Sequence, residues 1–192
     1  NLMPEADILK LSQLSVAEMR KNGAFDYINK VWNEKANLYY LASTVDFTPF
    51  HIYLNKKIDK ADLSGLKIRI APIYREFFTR IGASVMQVAP GEVFTALDRG
   101  VVDGYGWPYI GIFDLGWNEK TKYRVDPGFY RAEVSIIVNR ASWAKLSPEA
   151  RKIIEDAAAE LESGFAAVEA KENSTDLEKQ KQAGIQTIEF KG

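Results

Sequence analysis

The chain contains no cysteine. That excludes thiol catalysis, thiolate metal sites and disulfides at once. The absence fits an oxidising compartment, where a stray thiol is a liability, although many cytosolic proteins share it. Histidine is almost missing as well. A single imidazole, His51, rules out a multi-histidine metal site and weakens any Ser-His-Asp reading. Beside Phe50 it reads as a packed, hydrogen-bonded residue. No stretch approaches the ~20 apolar residues of a membrane span. Neither sign of charge is in excess: 25 Lys+Arg stand against 26 Asp+Glu, a net charge of −1. A nucleic-acid surface or a polybasic membrane patch needs a clear basic surplus. There is no G-x-G-x-x-G or Walker pattern, no internal repeat and no low-complexity segment. No secretory leader is visible, and the opening Asn1-Leu2-Met3-Pro4 reads as the interior of a longer protein.

What is present is ordinary globular composition, 46% hydrophobic and 27% charged over 192 residues, enough for one good core or two modest ones. The clearest organisation lies between Leu66 and Trp107. Lys67–Ala71 alternates charged and apolar residues and predicts a strand. Tyr74, Phe77, Phe78 and Ile81 follow the i, i+3, i+4, i+7 spacing of a helix face, closed by Gly82. Ser84–Val88 predicts a second strand, Val93–Leu97 a second helix closed by Gly100, and Val101–Tyr105 a third strand. This β-α-β-α-β order with short connections is the pattern of a parallel sheet. Ahead of it, one helix is expected over Val16–Ala36 and a strand over Leu38–Ser43. After it comes a long strand, Phe129–Asn139. Ser147-Pro148-Glu149 then supplies an N-cap, a proline at the first helical position and an acid in the first turn. The helix they start carries an apolar stripe through Ile154, Ala157, Ala158, Leu161, Phe165 and Val168, with no breaker until Gly184. It outruns a single small lobe and is expected to brace two. Gln186–Phe190 predicts a closing strand.

In open parallel α/β sheets, ligands bind beyond the carboxyl ends of the strands. Three such ends fall after Arg69-Ile70, at Ala89-Pro90-Gly91 and at Gly106-Trp107-Pro108. Arg69 and Trp107 should therefore converge on one edge. A guanidinium there offers a planar fork to a carboxylate, and an indole offers an apolar wall. Helix N-termini near Ile73 and Gly91 add backbone N–H groups at the same edge. The plain alternatives stand beside this: a strand arginine is often salt-bridged, and a tryptophan before proline is often packing. Glu92, Asp98 and Asp103 fix no carboxylate pair at the defined separation that acid–base catalysis requires.

At this same stretch the chain resembles the solute-binding proteins of tripartite ATP-independent periplasmic (TRAP) transporters, the C4-dicarboxylate-binding type. Asp62-Leu63-Ser64-Gly65-Leu66-Lys67-Ile68-Arg69-Ile70 is similar to the family's D-x-x-G-L-K-(I/L)-R-V. Gly91-Glu92-Val93-Phe94-Thr95-Ala96-Leu97 is similar to x-E-V-Y-x-A-L, and Gly100-Val101-Val102-Asp103-Gly104 with Pro108 to G-x-V-D-G-x-x-x-P. Weaker echoes are Val138-Asn139 before Trp143 and the helix start at Pro148. The resemblance implies an α/β, two-lobed periplasmic-binding-protein-like fold with a long lobe-spanning helix, its first lobe incomplete. The implied division is 1–46 for the remainder of lobe I, 47–134 for lobe II, 135–170 for the return to lobe I with the long helix, and 171–192 for the helix end and closing strand on lobe II. It places the carboxylate-clamping arginine on Arg69. Trp107, Phe50, Pro90 and Glu133 complete the expected ligand contacts, with no cofactor and no metal. The expected partners are a small organic acid and the membrane permease subunits of a TRAP transporter, in the periplasm.

The chain departs from the pattern where family members commonly carry Asn at the position of Trp107, Phe at Pro90 and Asn near Pro72. Gly106 beside Trp107 supplies no carboxylate for a co-bound cation. An apolar or planar organic acid is therefore expected in place of a polyhydroxylated one. Two other functions remain open at this stage. One is an α/β enzyme acting on a carboxylic acid with Asp103 or Glu133 as base; the other is the sensory domain of a receptor.

Overall fold

The computed structural model describes residues 14–191. Its elements, in chain order, are helices α1 (Val16–Asn22) and α2 (Ala24–Ala36), strands β1 (Leu38–Leu54) and β2 (Lys67–Ile70), helix α3 (Arg75–Arg80), strand β3 (Ser84–Gln87), helix α4 (Val93–Asp98), strands β4 (Gly104–Trp107) and β5 (Tyr123–Asn139), helices α5 (Arg140–Ala144) and α6 (Pro148–Gln182), and strand β6 (Gln186–Glu189). The sheet order is β3-β2-β4-β1-β5-β6. The described residues divide into two compact units, one of residues 14–48 and 131–170, the other of 49–130 and 171–191. Among the described residues, no helix is long and apolar enough to cross a membrane.

In the first unit, the single helix expected over Val16–Ala36 is two. Gly23 adopts φ 84° and ends α1 while opening α2, a conformation that glycine reaches without the Cβ penalty. A capping box starts α1: the Ser15 side chain accepts the Glu18 amide, and the Glu18 carboxylate accepts the Ser15 amide. Val16, Met19, Phe25, Ile28 and Tyr40 form one core cluster, with Phe25 edge-on to Tyr40 at 5.0 Å. The Arg20 side chain donates to both carboxylate oxygens of Glu162 on α6, and Glu162 also accepts the Ser43 amide.

Helix α6 runs unbroken from Pro148 to Gln182. Ser147 caps it, its hydroxyl accepting the Ala150 amide at 3.2 Å. Its residues to Ala170 belong to the first unit and those from Lys171 to the second. Of the predicted apolar stripe, only Ala158 is buried, in a cluster with Leu41 and Ala42. Leu161 and Val168 stay half exposed.

The second unit holds the β-α-β-α-β core. β2 pairs in parallel with β3 and with β4, as the short crossovers require. The third core strand begins three residues later than expected: Val101 and Val102 lie in the turn, and β4 starts at Gly104. Only glycine fits there, because a Cβ would collide with the Tyr53 carbonyl oxygen and lie 2.7 Å from Leu54 Cδ2. β4 also pairs antiparallel with β1, His51 opposite Trp107. Both β1 and β5 run well past their predicted limits, to 17 residues each. Strand propensity fades at Pro49 and Pro127, and hydrogen-bonded neighbours carry the strands through. Ile68, Ile70, Leu54 and Phe78 are wholly buried at the centre of one cluster, and Tyr53, Tyr105 and Trp117 at the centre of another.

Candidate functional site

β2 reads exposed-buried-buried-buried, so Arg69 enters the sheet interior with only 5% of its surface exposed. Three neighbours hold it. Its Nε donates to the Val88 carbonyl at 2.9 Å, just beyond β3. Its Nη1 donates to the Tyr74 hydroxyl at 3.5 Å. Its guanidinium carbon lies 5.4 Å from the centre of the Trp107 ring, at the end of β4. Arg69 and Trp107 thus come together from two adjacent parallel strands. Among the described residues Arg69 has no carboxylate partner. Burial pushes its pKa below the ordinary guanidinium value, and the Tyr74 oxygen offsets that in part. The side chain stays charged all the same. A buried cation held only by neutral oxygens is an unbalanced charge, and an anion would balance it.

In the sequence, Tyr74 falls among the apolar residues of a helix face. The structure places it instead in a 3-10 turn, Pro72–Tyr74, directly after β2. Its hydroxyl donates to the Gly106 carbonyl at 3.3 Å, and burial raises its pKa. The signal that locates it is position: it lies one turn past the carboxyl end of the arginine strand. Phe50, on β1, sits 6.3 Å from Trp107 and 6.4 Å from Tyr74, ring centre to ring centre. Tyr130 joins them at 5.8 Å from both Phe50 and Tyr74.

Two further residues were expected at the site, Pro90 and Glu133. Pro90 is exposed, two residues beyond Val88. Glu133 belongs to the other unit, where it accepts hydrogen bonds from Tyr40 Oη at 2.7 Å and from Ser135 Oγ. α3 and α4 have six residues each, and the 3-10 turns before them already use the Tyr74 and Glu92 amides on the Ala71 and Ala89 carbonyls. Asp103 precedes β4, at the opposite end of the strand from Trp107. It accepts the Lys67 amide and pairs with Lys56 at 2.7 Å. Burial works to raise its pKa, but these partners outweigh burial and lower it. It is therefore poorly suited to act as a base near neutrality. No group of three or more metal-ligating side chains gathers among the described residues.

A polar network that sequence reasoning missed fixes the turn after Trp107. Tyr53 Oη donates to the Pro108 carbonyl at 3.0 Å, and Gln180 Nε2, from α6, donates to the Tyr109 carbonyl at 3.0 Å. The Gly111 amide donates to Asp176 at 3.3 Å. Arg124 holds Gln180 with one nitrogen and the Asp126 carboxylate with two others. His51 is packed and bonded as its isolation in the sequence suggests. Its Nδ1 lies 2.7 Å from Asp126 Oδ1, and Tyr109 stacks on its ring at 4.2 Å. Asp126 is pushed up by burial, but the His51 and Arg124 contacts prevail and hold it down to about 2. The partners come from positions 51 to 180, and no local pattern announces such a set.

Comparison with known proteins places this geometry in context. The family model described as "Bacterial extracellular solute-binding protein, family 7" matches residues 16–192. A monocarboxylate 2-oxoacid-binding periplasmic protein of a Nostoc species is 32% identical over 105 residues, 52% of this chain and 28% of that protein. A C4-dicarboxylate-binding periplasmic protein of Rhodobacter capsulatus is 32% identical over 131 residues, 67% of this chain and 39% of that protein. Among solved structures, a TRAP periplasmic solute-binding protein of Desulfovibrio salexigens with bound orotic acid superposes with a TM-score of 0.79. It is 28% identical, covering 92% of this chain and 57% of that one. One from Roseobacter denitrificans with bound L-galactonate gives 0.76 at 26% identity, covering 87% and 56%. The chain thus spans little more than half the length of these solved relatives.

Proposed function

The chain belongs to the bacterial extracellular solute-binding protein family 7, and from that premise we propose that it captures a small organic acid by clamping its carboxylate on Arg69. The observation that carries this reading is the buried guanidinium with no carboxylate of its own among the described residues. Two of its nitrogens are oriented by the neutral oxygens of Val88 and Tyr74, which leaves the charge for an incoming anion. A guanidinium so oriented loses little freedom on binding, which favours affinity. Trp107 supplies apolar surface beside it, and Phe50 stands 6.3 Å from the Trp107 ring. The protein binds without turnover, works in the periplasm and hands the acid to the permease subunits of a TRAP-type transporter. Acid ligands in the solved relatives, orotic acid and L-galactonate among them, support the carboxylate as the shared recognition element.

The test is calorimetry on the full-length protein with the acid that co-purifies with it, identified by native mass spectrometry. Arg69→Ala removes a buried charge-assisted partner and is expected to cost about 2–5 kcal/mol of binding free energy, a loss of roughly 30-fold or more. Binding within about threefold of wild type would sink the assignment.

A further inference from the structure

We infer that the acid is flat and π-bearing beyond its carboxylate, an arene or heteroarene carboxylate in chemical class, and that Trp107 and Phe50 select it. This rests on the carboxylate clamp proposed above. On this unit, ligand groups beyond the carboxylate would meet the three strand ends next to Arg69. After β2 these positions are Ala71 and Pro72, after β3 Val88, Ala89 and Pro90, and after β4 Pro108. None has a side-chain hydrogen-bonding atom. What adjoins Arg69 instead is rings: Tyr74 and Trp107 directly, and Phe50 and Tyr130 packed against them with neighbouring centres 5.8 to 6.4 Å apart. Tyr74 is buried, and its hydroxyl is committed to Gly106 and Arg69. Phe50, Trp107 and Tyr130 are only part-buried.

Trp107 is not free to turn away. Its ring packs edge-on against the fully buried Trp117 at 4.7 Å, and the network through Tyr53 and Gln180 anchors the next two residues. The indole therefore presents a fixed wall beside the guanidinium. A flat acid can bond to Arg69 and stack on these rings together. A polyhydroxylated acid would bring hydroxyls to strand ends where Ala71, Pro72, Val88, Ala89, Pro90 and Pro108 give them no side-chain partner, and each unpaired one carries a desolvation cost.

The experiment is calorimetry on the full-length protein with benzoate, nicotinate, D-glucuronate and D-gluconate, for wild type, Arg69→Ala, Trp107→Leu and Phe50→Leu. Leucine keeps apolar bulk at both positions, and circular dichroism confirms that each variant folds. Benzoate or nicotinate should bind, and the two sugar acids should bind at least about 100-fold more weakly. Trp107→Leu and Phe50→Leu should each weaken the aromatic acid about three- to tenfold. Sugar acids binding as tightly as the aromatic ones, with both lost in Arg69→Ala, would overturn the inference and leave the clamp standing. Aromatic acids unaffected by both leucine variants would also overturn it. Binding of any acid that is indifferent to Arg69→Ala would overturn the clamp, and the inference with it.

Discussion

The substitution Asp126→Asn tests whether the network beneath the Trp107 turn is a charged assembly or only a packed one. The carboxylate bonds to Arg124 through two nitrogens and lies 2.7 Å from His51 Nδ1. Arg124 is 8% exposed and His51 2%. An amide in place of the carboxylate would leave the buried guanidinium with only neutral partners, among them Gln180 and Thr187. Breaking a buried pair costs about 3–5 kcal/mol. Asp126 keeps a quarter of its side-chain surface exposed, and solvent screening reduces the expected loss to about 2–4 kcal/mol. In a chain of this size that lowers Tm by about 4–16 °C.

Part of the loss is linked to protons. The folded-state pKa lies below its ordinary 3.8, at about 2. A depressed carboxyl stabilises the fold above its unfolded-state pKa, and the contribution fades as pH falls toward the folded value. After screening, this share is about 1–2 kcal/mol at neutral pH, and about half of it is gone by pH ~3. Urea titrations of wild type and Asp126→Asn, followed by circular dichroism between neutral pH and about pH 3, measure both parts. The gap between the two proteins should hold from about pH 7 to 5 and narrow by about pH 3. A gap below about 1 kcal/mol at neutral pH, or one that widens in acid, would refute the reasoning.

One substitution placed at two glycines should act with opposite signs. Gly104→Ala drives a Cβ into the Tyr53 carbonyl oxygen and against Leu54; urea denaturation should show a loss of about 2–3 kcal/mol. Gly164→Ala sits inside α6 with no atom within 4 Å of the added methyl; a gain of about 0.5–1 kcal/mol in the same assay is expected, from restricted backbone freedom in the unfolded chain.

The sequence by itself determined the elements whose signals are local. The alternation in Lys67–Ile70, the Ser-Pro-Glu start of α6 and its freedom from breakers act within one or two turns of chain. The structure has a strand at Lys67–Ile70, though three of its four residues are buried and do not alternate, and an unbroken helix from Pro148 to Gln182. The parallel core was legible for the same reason, since short helical crossovers leave a strand few other ways to return. The ends of β1 and β5 were not legible, because a strand lasts as long as a neighbour pairs with it, and Pro49 and Pro127 mask that in the sequence. The late start of β4 was hidden likewise: hydrophobic Val101 and Val102 look like strand, but the register is set by Gly104, where Tyr53 approaches too closely for any side chain. At the candidate site, Arg69 and Trp107 could be placed on one edge from topology alone. Tyr74 hid among the apolar positions of a helix because its hydroxyl matters only once Gly106 and Arg69 are beside it. The His51-Asp126-Arg124-Gln180 network belongs wholly to the tertiary structure. Of its members only the lone His51 carries a signal in the chain, that of a packed residue, and burial next to one another is what makes their charges and hydrogen bonds count.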